Sequence, residues 1–183
     1  ILDQLQQVKN ERNRSVQILV LVPTRELAVQ IDEVFRVFSE PLRRSIRTLA
    51  VYGGVSIQPQ MKALMGVEVL VATPGRLLEL IGKNAVDIAA IRQLVIDEAD
   101  KLFQLGFEAE MDQLLSLLPA HRQTMLYSAT LNDKVTELKS RLGIQPVVIT
   151  IEPEQQSMDD IEQLAYLGTA ATKGPFLRYL IKE

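Results

Sequence analysis

The sequence predicts an α/β fold, a mostly parallel sheet flanked by helices in three layers. Three observations predict it. Short runs such as Ile18 to Val22 and Leu94 to Ile96 are apolar at every position, which suits strands buried on both faces. These runs alternate with stretches whose apolar residues recur at helical spacing, which makes repeated βαβ units with right-handed crossovers. The runs also stop in small, hydroxylated, basic or acidic residues, and in a parallel sheet those stops share one edge, where ligands of open α/β sheets bind.

Taken in order, Ile1 to Arg14 carries Leu2, Leu5 and Val8 on one face and reads as the end of an amphipathic helix, with no initial Met and no cap, so that more chain is expected upstream. Ile18 to Val22 is the first strand, ended by Pro23-Thr24-Arg25. A helix is expected from Glu26 to Phe38, where Leu27, Ile31, Val34, Phe35 and Phe38 keep helical spacing. Thr48 to Tyr52 is the second strand, ended by Gly53-Gly54, and Gln58 to Met65 a short helix. Val67 to Ala72 is the third, ended by Thr73-Pro74-Gly75-Arg76, with helix over Leu77 to Ile81. The fourth, Leu94-Val95-Ile96, runs straight into Asp97-Glu98-Ala99-Asp100, and a helix follows over Glu108 to Leu118. Thr124 to Tyr127 is the fifth strand, ended by Ser128-Ala129-Thr130. Asp133 to Leu142 is a helix with Gly143 as C-cap. Val147 to Ile151 is a sixth strand, and the polar, acidic stretch from Glu152 to Asp160 reads as a linker. Ile161 to Leu167 and Lys173 to Ile181 then offer one more strand and one more helix, too little to fold alone.

At 183 residues the chain is long enough for one full domain and part of a second. No cysteine is present, which excludes disulfides and thiolate metal sites and makes an intracellular protein, cytoplasmic or nuclear if eukaryotic, the expectation. No apolar run approaches the roughly 18 residues of a membrane span, so no membrane partner is expected. The single histidine, His121, lies near Pro119 in a loop and reads as a surface residue. A net charge of −3 and a pI near 5.3 argue against wholesale electrostatic binding of nucleic acid. A local basic face is still open: Arg43, Arg44 and Arg47 cluster, with a solvated loop as the equal reading, and Arg25 and Arg76 each follow an apolar run.

The strand ends carry the chemistry. Asp97 and Glu98, side by side past a buried strand, suit a magnesium–nucleotide site, one acid holding the metal through water and its neighbour orienting the attacking water. The competing reading is that these acids cap the next helix. Gly53, Gly54 and Gly75 let a phosphate approach backbone N–H groups, and Thr24, Thr73 and the helix starts after them add donors for anions. Arg25 and Arg76 add positive charge. Singly each is ordinary turn chemistry; jointly, on one edge, they fit contact with a phosphodiester backbone and carry no base code. Ser128 and Thr130 follow the strand expected beside Asp97, within reach of Asp100, or else form a turn that caps the Asp133 helix.

Pro23-Thr24-Arg25-Glu26-Leu27-Ala28, Gly53-Gly54, Thr73-Pro74-Gly75-Arg76, Asp97-Glu98-Ala99-Asp100 and Ser128-Ala129-Thr130, with Gly106-Phe107 after the acids, stand in the order and approximate spacing of DEAD-box RNA helicases. The chain resembles that family over nearly its whole length. The resemblance implies a RecA-like, P-loop NTPase-type first lobe of a superfamily-two helicase. It implies ATP and Mg2+ as cofactors, Asp97 for magnesium through water, Glu98 as the base orienting the hydrolytic water, and Asp100 paired with Ser128 and Thr130 to couple hydrolysis to strand separation. It further implies that Pro23, Thr24, Arg25, Glu26, Gly53, Gly54, Thr73, Pro74, Gly75 and Arg76 grip the RNA sugar-phosphate backbone without sequence preference. The activity implied is ATP-driven local unwinding of RNA duplexes or remodelling of RNA–protein complexes, with a second RecA-like lobe of the same protein as partner.

The departures bear on the domains. The phosphate-binding loop G-x-x-x-x-G-K-S/T is not in the sequence, and Gly82-Lys83-Asn84 is no substitute; nor is the upstream adenine-reading glutamine motif. Residues 1–151 therefore read as a partial first RecA-like domain, 152–160 as the interdomain linker, and 161–183 as the start of a truncated second domain. Without the loop the main cradle of the β- and γ-phosphates is missing, so the 183-residue polypeptide alone is expected to be inactive. Two other classes compete: a catalytically inactive RNA-binding or regulatory module of the same fold, against which the intact Asp97-Glu98 pair speaks, and a DNA-dependent ATPase of the superfamily.

Overall fold

The computed structural model describes residues 1, 2, 5, 15–42, 44–130, 133–142, 146–151 and 164–182. Five strands, β1 (Ile18–Leu21), β2 (Thr48–Val51), β3 (Val69–Ala72), β4 (Gln93–Ile96) and β5 (Gln123–Leu126), form one sheet in the order β2-β3-β1-β4-β5. Every pairing is parallel. Between and after the strands lie α1 (Arg25–Ser39), α2 (Ile57–Ala63), α3 (Pro74–Gly82), α4 (Ala99–Gln104), α5 (Glu108–Leu117) and α6 (Asp133–Arg141).

The ladder has no stagger. Ile18 faces Val69 and Gln93, Val69 faces Thr48, and Gln93 faces Gln123. The last residues Val51, Ala72, Leu21, Ile96 and Leu126 therefore form one row, and the loops after them rise from one edge. Adjacent strands lie about 4.8 Å apart, so the row is roughly 20 Å long.

Alternation along the strands divides the core in two. Leu19, Leu21, Val51, Leu70, Ala72, Leu94 and Ile96 point to one face, where Leu77 and Leu80 of α3, Leu102 of α4, Met111 and Leu114 of α5, and Val135 and Leu138 of α6 cover them. Ile18, Val20, Val69, Val71 and Val95 point to the other, with Ala28, Leu27, Ile31 and Phe35 of α1 and with Leu2, Leu5 and Ile46. This is why the runs are apolar throughout. Full burial of Leu94 or Ile96, both at 0% exposure, stabilises by about 1.5–3 kcal/mol each.

Five expected strands and the helices between them are present, with ends moved by a few residues. α4 was not expected: six residues give too short a period to read, although Ala99 and Leu102 are both buried. The sixth strand, Val147 to Ile151, is a correction. These residues pair with no strand among the described residues and Val147, Ile149 and Ile151 are highly exposed. Apolar composition proposes a strand, but only a neighbouring ladder makes one. Likewise Leu164 to Leu167 forms no strand. Residues 6–14, Gly143 and the 152–160 linker lie outside the described residues.

The basic loop resolves against both of its readings at Arg44. Its Nη2 donates to Glu68 Oε1 at 2.7 Å and to the Leu5 carbonyl at 2.9 Å, and Glu68 is 1% exposed, so this arginine is an internal tie. Arg47 is exposed, and Arg43 lies outside the described residues. His121 is exposed, as expected.

The chain divides into two compact units, Ile1–Pro146 and Val147–Glu183. In the second, α7 (Ala170–Lys182) places Phe176 edge-on to Tyr166, with centroids 5.0 Å apart. Leu164, Leu167, Leu177 and Ile181 are exposed. Among the described residues no helix is long and apolar enough to cross a membrane.

Candidate functional site

At the end of β4 the chain turns sharply. Asp97 Oδ1 accepts the Glu98 N–H at 2.9 Å, and no described residue donates to Oδ2. Glu98 itself sits at φ 48°, ψ 50°, a left-handed conformation that costs a non-glycine residue roughly 1–2 kcal/mol. Strain of this kind concentrates at functional sites. Glu98 stands at the N-cap of α4, yet its side chain makes no capping bond there, while Asp100 stands in the first turn of that helix, so the helix-start reading holds for Asp100 and leaves Asp97 and Glu98 unexplained. The Glu98 carboxylate instead takes the Lys101 ammonium at 2.7 Å. That bond, ahead of the surrounding acids, raises the Lys101 pKa.

Asp100 is 5% exposed. Burial pushes its pKa up, but the Thr130 and Ser128 hydroxyls and the Lys101 and Asp100 backbone N–H groups together outweigh burial, and its carboxyl lies below the usual value of 3.8. Thr130 Oγ1 donates to Asp100 Oδ2 at 2.9 Å. The Ser128 hydroxyl lies 2.7 Å from the Thr130 carbonyl and also acts on the Asp100 carboxylate, so it braces the turn beside the Thr130–Asp100 bond.

The donor set also bears on a metal. Among the described residues no group of three or more acids or imidazoles forms a cage. Magnesium is ordinarily held by one or two carboxylates together with waters and substrate phosphates. A half-buried Asp97 with one oxygen unclaimed fits that arrangement.

The β1, β2 and β3 ends are built differently. Thr24 caps α1, its Oγ1 accepting the Leu27 N–H at 3.2 Å, while Pro23 is buried and Arg25 and Glu26 are exposed. Thr73 is 8% exposed and makes no capping bond at α3, so its hydroxyl is uncommitted among the described residues. The N-termini of α1 and α3 both reach this edge, and helix N-termini attract anions. Gly54 needs its φ of +80°. Gly53 and Gly75 are different: neither has positive φ, and a Cβ on either would meet nothing within 4 Å. The fold itself makes no demand for glycine at these two places, and leaving them bare keeps the edge open to close approach from outside.

Arg76 is not the free cation that its position after β3 suggests. It is 6% exposed; Nη2 donates to the Val55 carbonyl at 2.7 Å and Nε to Glu79 at 3.0 Å. Its Nη1 is buried without a partner among the described residues. Arg25 is the accessible guanidinium, resting 5.0 Å above the Tyr52 ring. Sequence reasoning passed over Tyr52, Gln60 and Lys101. Only Lys101 had a local signal, a cation three residues after an acid in a helix start. A concavity of about 530 Å³ runs along the outer face of α1 past Val29, Val37 and Phe38; it meets the strand-end residues only at Glu26, so the site is an open edge.

Comparison with known proteins agrees with this geometry. Residues 1–138 match the family model described as DEAD/DEAH box helicase. The chain is 34% identical over 155 residues to the DEAD-box ATP-dependent RNA helicase CshA of Geobacillus kaustophilus (strain HTA426), covering 84% of this chain and 33% of that protein. It is 38% identical over 173 residues to the chloroplastic DEAD-box ATP-dependent RNA helicase 3A of Zea mays, covering 93% and 23%. Thus it spans a third or less of the length of these relatives. Two solved structures are similar: a DEAD box protein from the hyperthermophile Methanococcus jannaschii, with TM-score 0.67, 29% identity and 77% and 38% of the two chains covered, and the yeast DEAD-box splicing factor Prp28, with TM-score 0.69, 28% identity and 76% and 34% covered.

Proposed function

The chain belongs to the DEAD/DEAH box helicase family and has its RecA-like, P-loop NTPase-type fold, and from that membership we propose that it is the first lobe of an ATP-dependent RNA helicase. The observation that carries the reading is the unstaggered ladder, which brings all five motif-bearing loops to one edge. The acids sit on the β4 end, the Ser128 and Thr130 hydroxyls on the β5 end, and the glycines and accessible arginine on the β2, β3 and β1 ends.

In this reading water attacks the γ-phosphorus of ATP and the bond to the bridging oxygen breaks, releasing ADP and phosphate. Glu98 orients that water and takes its proton. Asp97 would hold Mg2+ through water, and the ion would offset charge on the β- and γ-phosphates. Asp100, tied to Thr130 and Ser128, connects the acid turn to the end of β5. The Pro23-Thr24-Arg25-Glu26 turn, Gly53, Gly54, Thr73, Pro74 and Gly75 receive the RNA backbone. Arg76 contributes from inside, by holding the Val55 turn. The contacts carry no base code, so the RNA is bound without sequence preference.

Residues 152–160 then link to 161–183 as the opening of a second lobe, whose exposed apolar residues belong in the interior of a larger body. The compartment is intracellular. The sequence holds no G-x-x-x-x-G-K-S/T loop, so turnover is expected of a longer protein carrying this lobe. The test is phosphate release from ATP by such a protein with single-stranded RNA or DNA added. Stimulation by RNA alone supports the reading. Equal stimulation by DNA turns it to the DNA-dependent class, and binding without turnover to an inactive module.

A further inference from the structure

Gln60 and Tyr52 form a brace for which the lobe's chemistry so far has given no role. Tyr52 is the first residue past β2, where the ladder stops at Val51 opposite Ala72. Its N–H donates to Gln60 Oε1 at 3.1 Å, and Gln60 Nε2 donates back to its carbonyl at 3.1 Å. One buried carboxamide, 9% exposed, thus stands in for the next residue of a neighbouring strand. The exchanged O and N assignment would set donor against donor and acceptor against acceptor, so the orientation is determined. Fixing the Tyr52 main chain fixes the base from which its ring projects, and over that ring, 5.0 Å from its centroid, lies the guanidinium of Arg25. Arg25 starts from the β1 end, two strands away, with the end of β3 between them.

We infer that Gln60 and Tyr52 are positioning residues that hold Arg25 over the glycine-lined edge for contact with a phosphodiester oxygen. The inference rests on the RNA-binding reading above. A long arginine left in solvent samples many rotamers and loses that freedom on binding. One already laid on an aromatic face keeps its donors pointing outward along the ring plane and pays less on contact. The ring requirement is for a π face, so the hydroxyl of Tyr52 is dispensable.

The test uses the 183-residue chain in two measurements. The first is the ring-current shift of the Arg25 side-chain protons by NMR in the free chain. It is expected to be upfield in the wild type and in Tyr52→Phe, absent in Tyr52→Leu, and reduced in Gln60→Met. No upfield shift in the wild type overturns the positioning of Arg25 outright. The second is the affinity for a single-stranded oligonucleotide of uridine as salt is varied. Arg25→Ala is expected to reduce the log–log salt slope by about 0.7. Tyr52→Leu should lower affinity about three-fold and move the slope the same way, Tyr52→Phe should do neither, and Tyr52→Leu should add nothing in an Arg25→Ala background. A purely structural role would weaken binding without that rescue or that non-additivity, and either result overturns the inference. A chain that shows the ring-current shift but binds no RNA at low salt overturns the functional reading, and the positioning role falls with it while the brace remains. If Gln60→Met fails to fold, the Tyr52 pair decides alone.

Discussion

On the β2, β3 and β1 ends of the sheet the buried side chains hold turns mainly by their backbone, whereas on the β4 and β5 ends the charged groups also hold other side chains. Gln60 grips both main-chain groups of Tyr52, Arg76 grips the Val55 carbonyl, and Thr24 grips the Leu27 N–H. Across the sheet, Glu98 is paired with Lys101, and Asp100 with Thr130. The first arrangement fixes shape and leaves donors facing outward. The second keeps charges in provisional partnerships: the Glu98–Lys101 pair is 34% and 55% exposed, and exposed pairs contribute only about 0.2–1 kcal/mol, so a ligand can replace it at little cost. One half is a preformed surface and the other is a set of groups ready to change partners.

The largest effect that tests this contrast is at Glu98. In a longer protein carrying the lobe, Glu98→Gln should lower RNA-stimulated phosphate release about 10²-fold or more. Glu98→Gly should lose activity equally, yet leave this lobe up to about 1 kcal/mol more stable by relieving the left-handed strain. Denaturant midpoints would show it, and a destabilised glycine variant would mean that the turn is unstrained.

Next is Arg76→Met, which removes a buried charged hydrogen bond and should cost about 1.5–3 kcal/mol. Lys101→Met should cost under about 1 kcal/mol. Comparable losses in the two variants would erase the distinction between a tied half and a provisional one.

Smaller is the effect of pH through Asp100. Its folded pKa is depressed below 3.8, so its contribution to stability is complete above that value and is lost as pH falls through the lower, folded value. Thr130→Val should cost about 1 kcal/mol at pH 7 and weaken this dependence in the acid limb. Unfolding curves for both proteins between pH 7 and pH 2.5 measure it; parallel curves would remove Thr130 as the partner that matters.

The smallest stability effect is expected at Gly53→Ala, within about 0.5 kcal/mol, because the added methyl meets nothing and φ is ordinary. Gly54→Ala should cost about 1–2 kcal/mol for its positive φ. Both should weaken RNA binding. Full affinity in Gly53→Ala would mean that nothing approaches that turn.

Much of the sheet could be read from the sequence because burial on both faces writes itself as unbroken apolar runs, as in Ile18 to Val22. Strand pairing leaves no such mark, which is why Val147 to Ile151 was expected in the sheet and is not there. At the site, acids and hydroxyls at strand ends were legible, and the Thr130–Asp100 bond is present as anticipated. What could not be read was the direction in which a side chain turns. Arg25 and Arg76 occupy equivalent places after β1 and β3; one lies on a ring in solvent and the other is buried against Val55, and that difference comes from Tyr52, Glu79 and the Val55 turn. Arg44 is the same lesson, since its partner Glu68 lies 24 residues further along the sequence.

The position of β1 has a mechanical consequence. It is the central rail of the sheet, bonded along its length to β3 on one side and β4 on the other. A pull on Arg25 directed along the strand loads both sets of rungs in shear, all at once, instead of peeling them one by one. The two halves of the edge are thereby bolted to a common bar. Tension applied at Arg25 passes through only the short turn of Val22 to Thr24 before it arrives under Asp97, whose own N–H is hydrogen-bonded to the carbonyl of Leu21 at 3.0 Å.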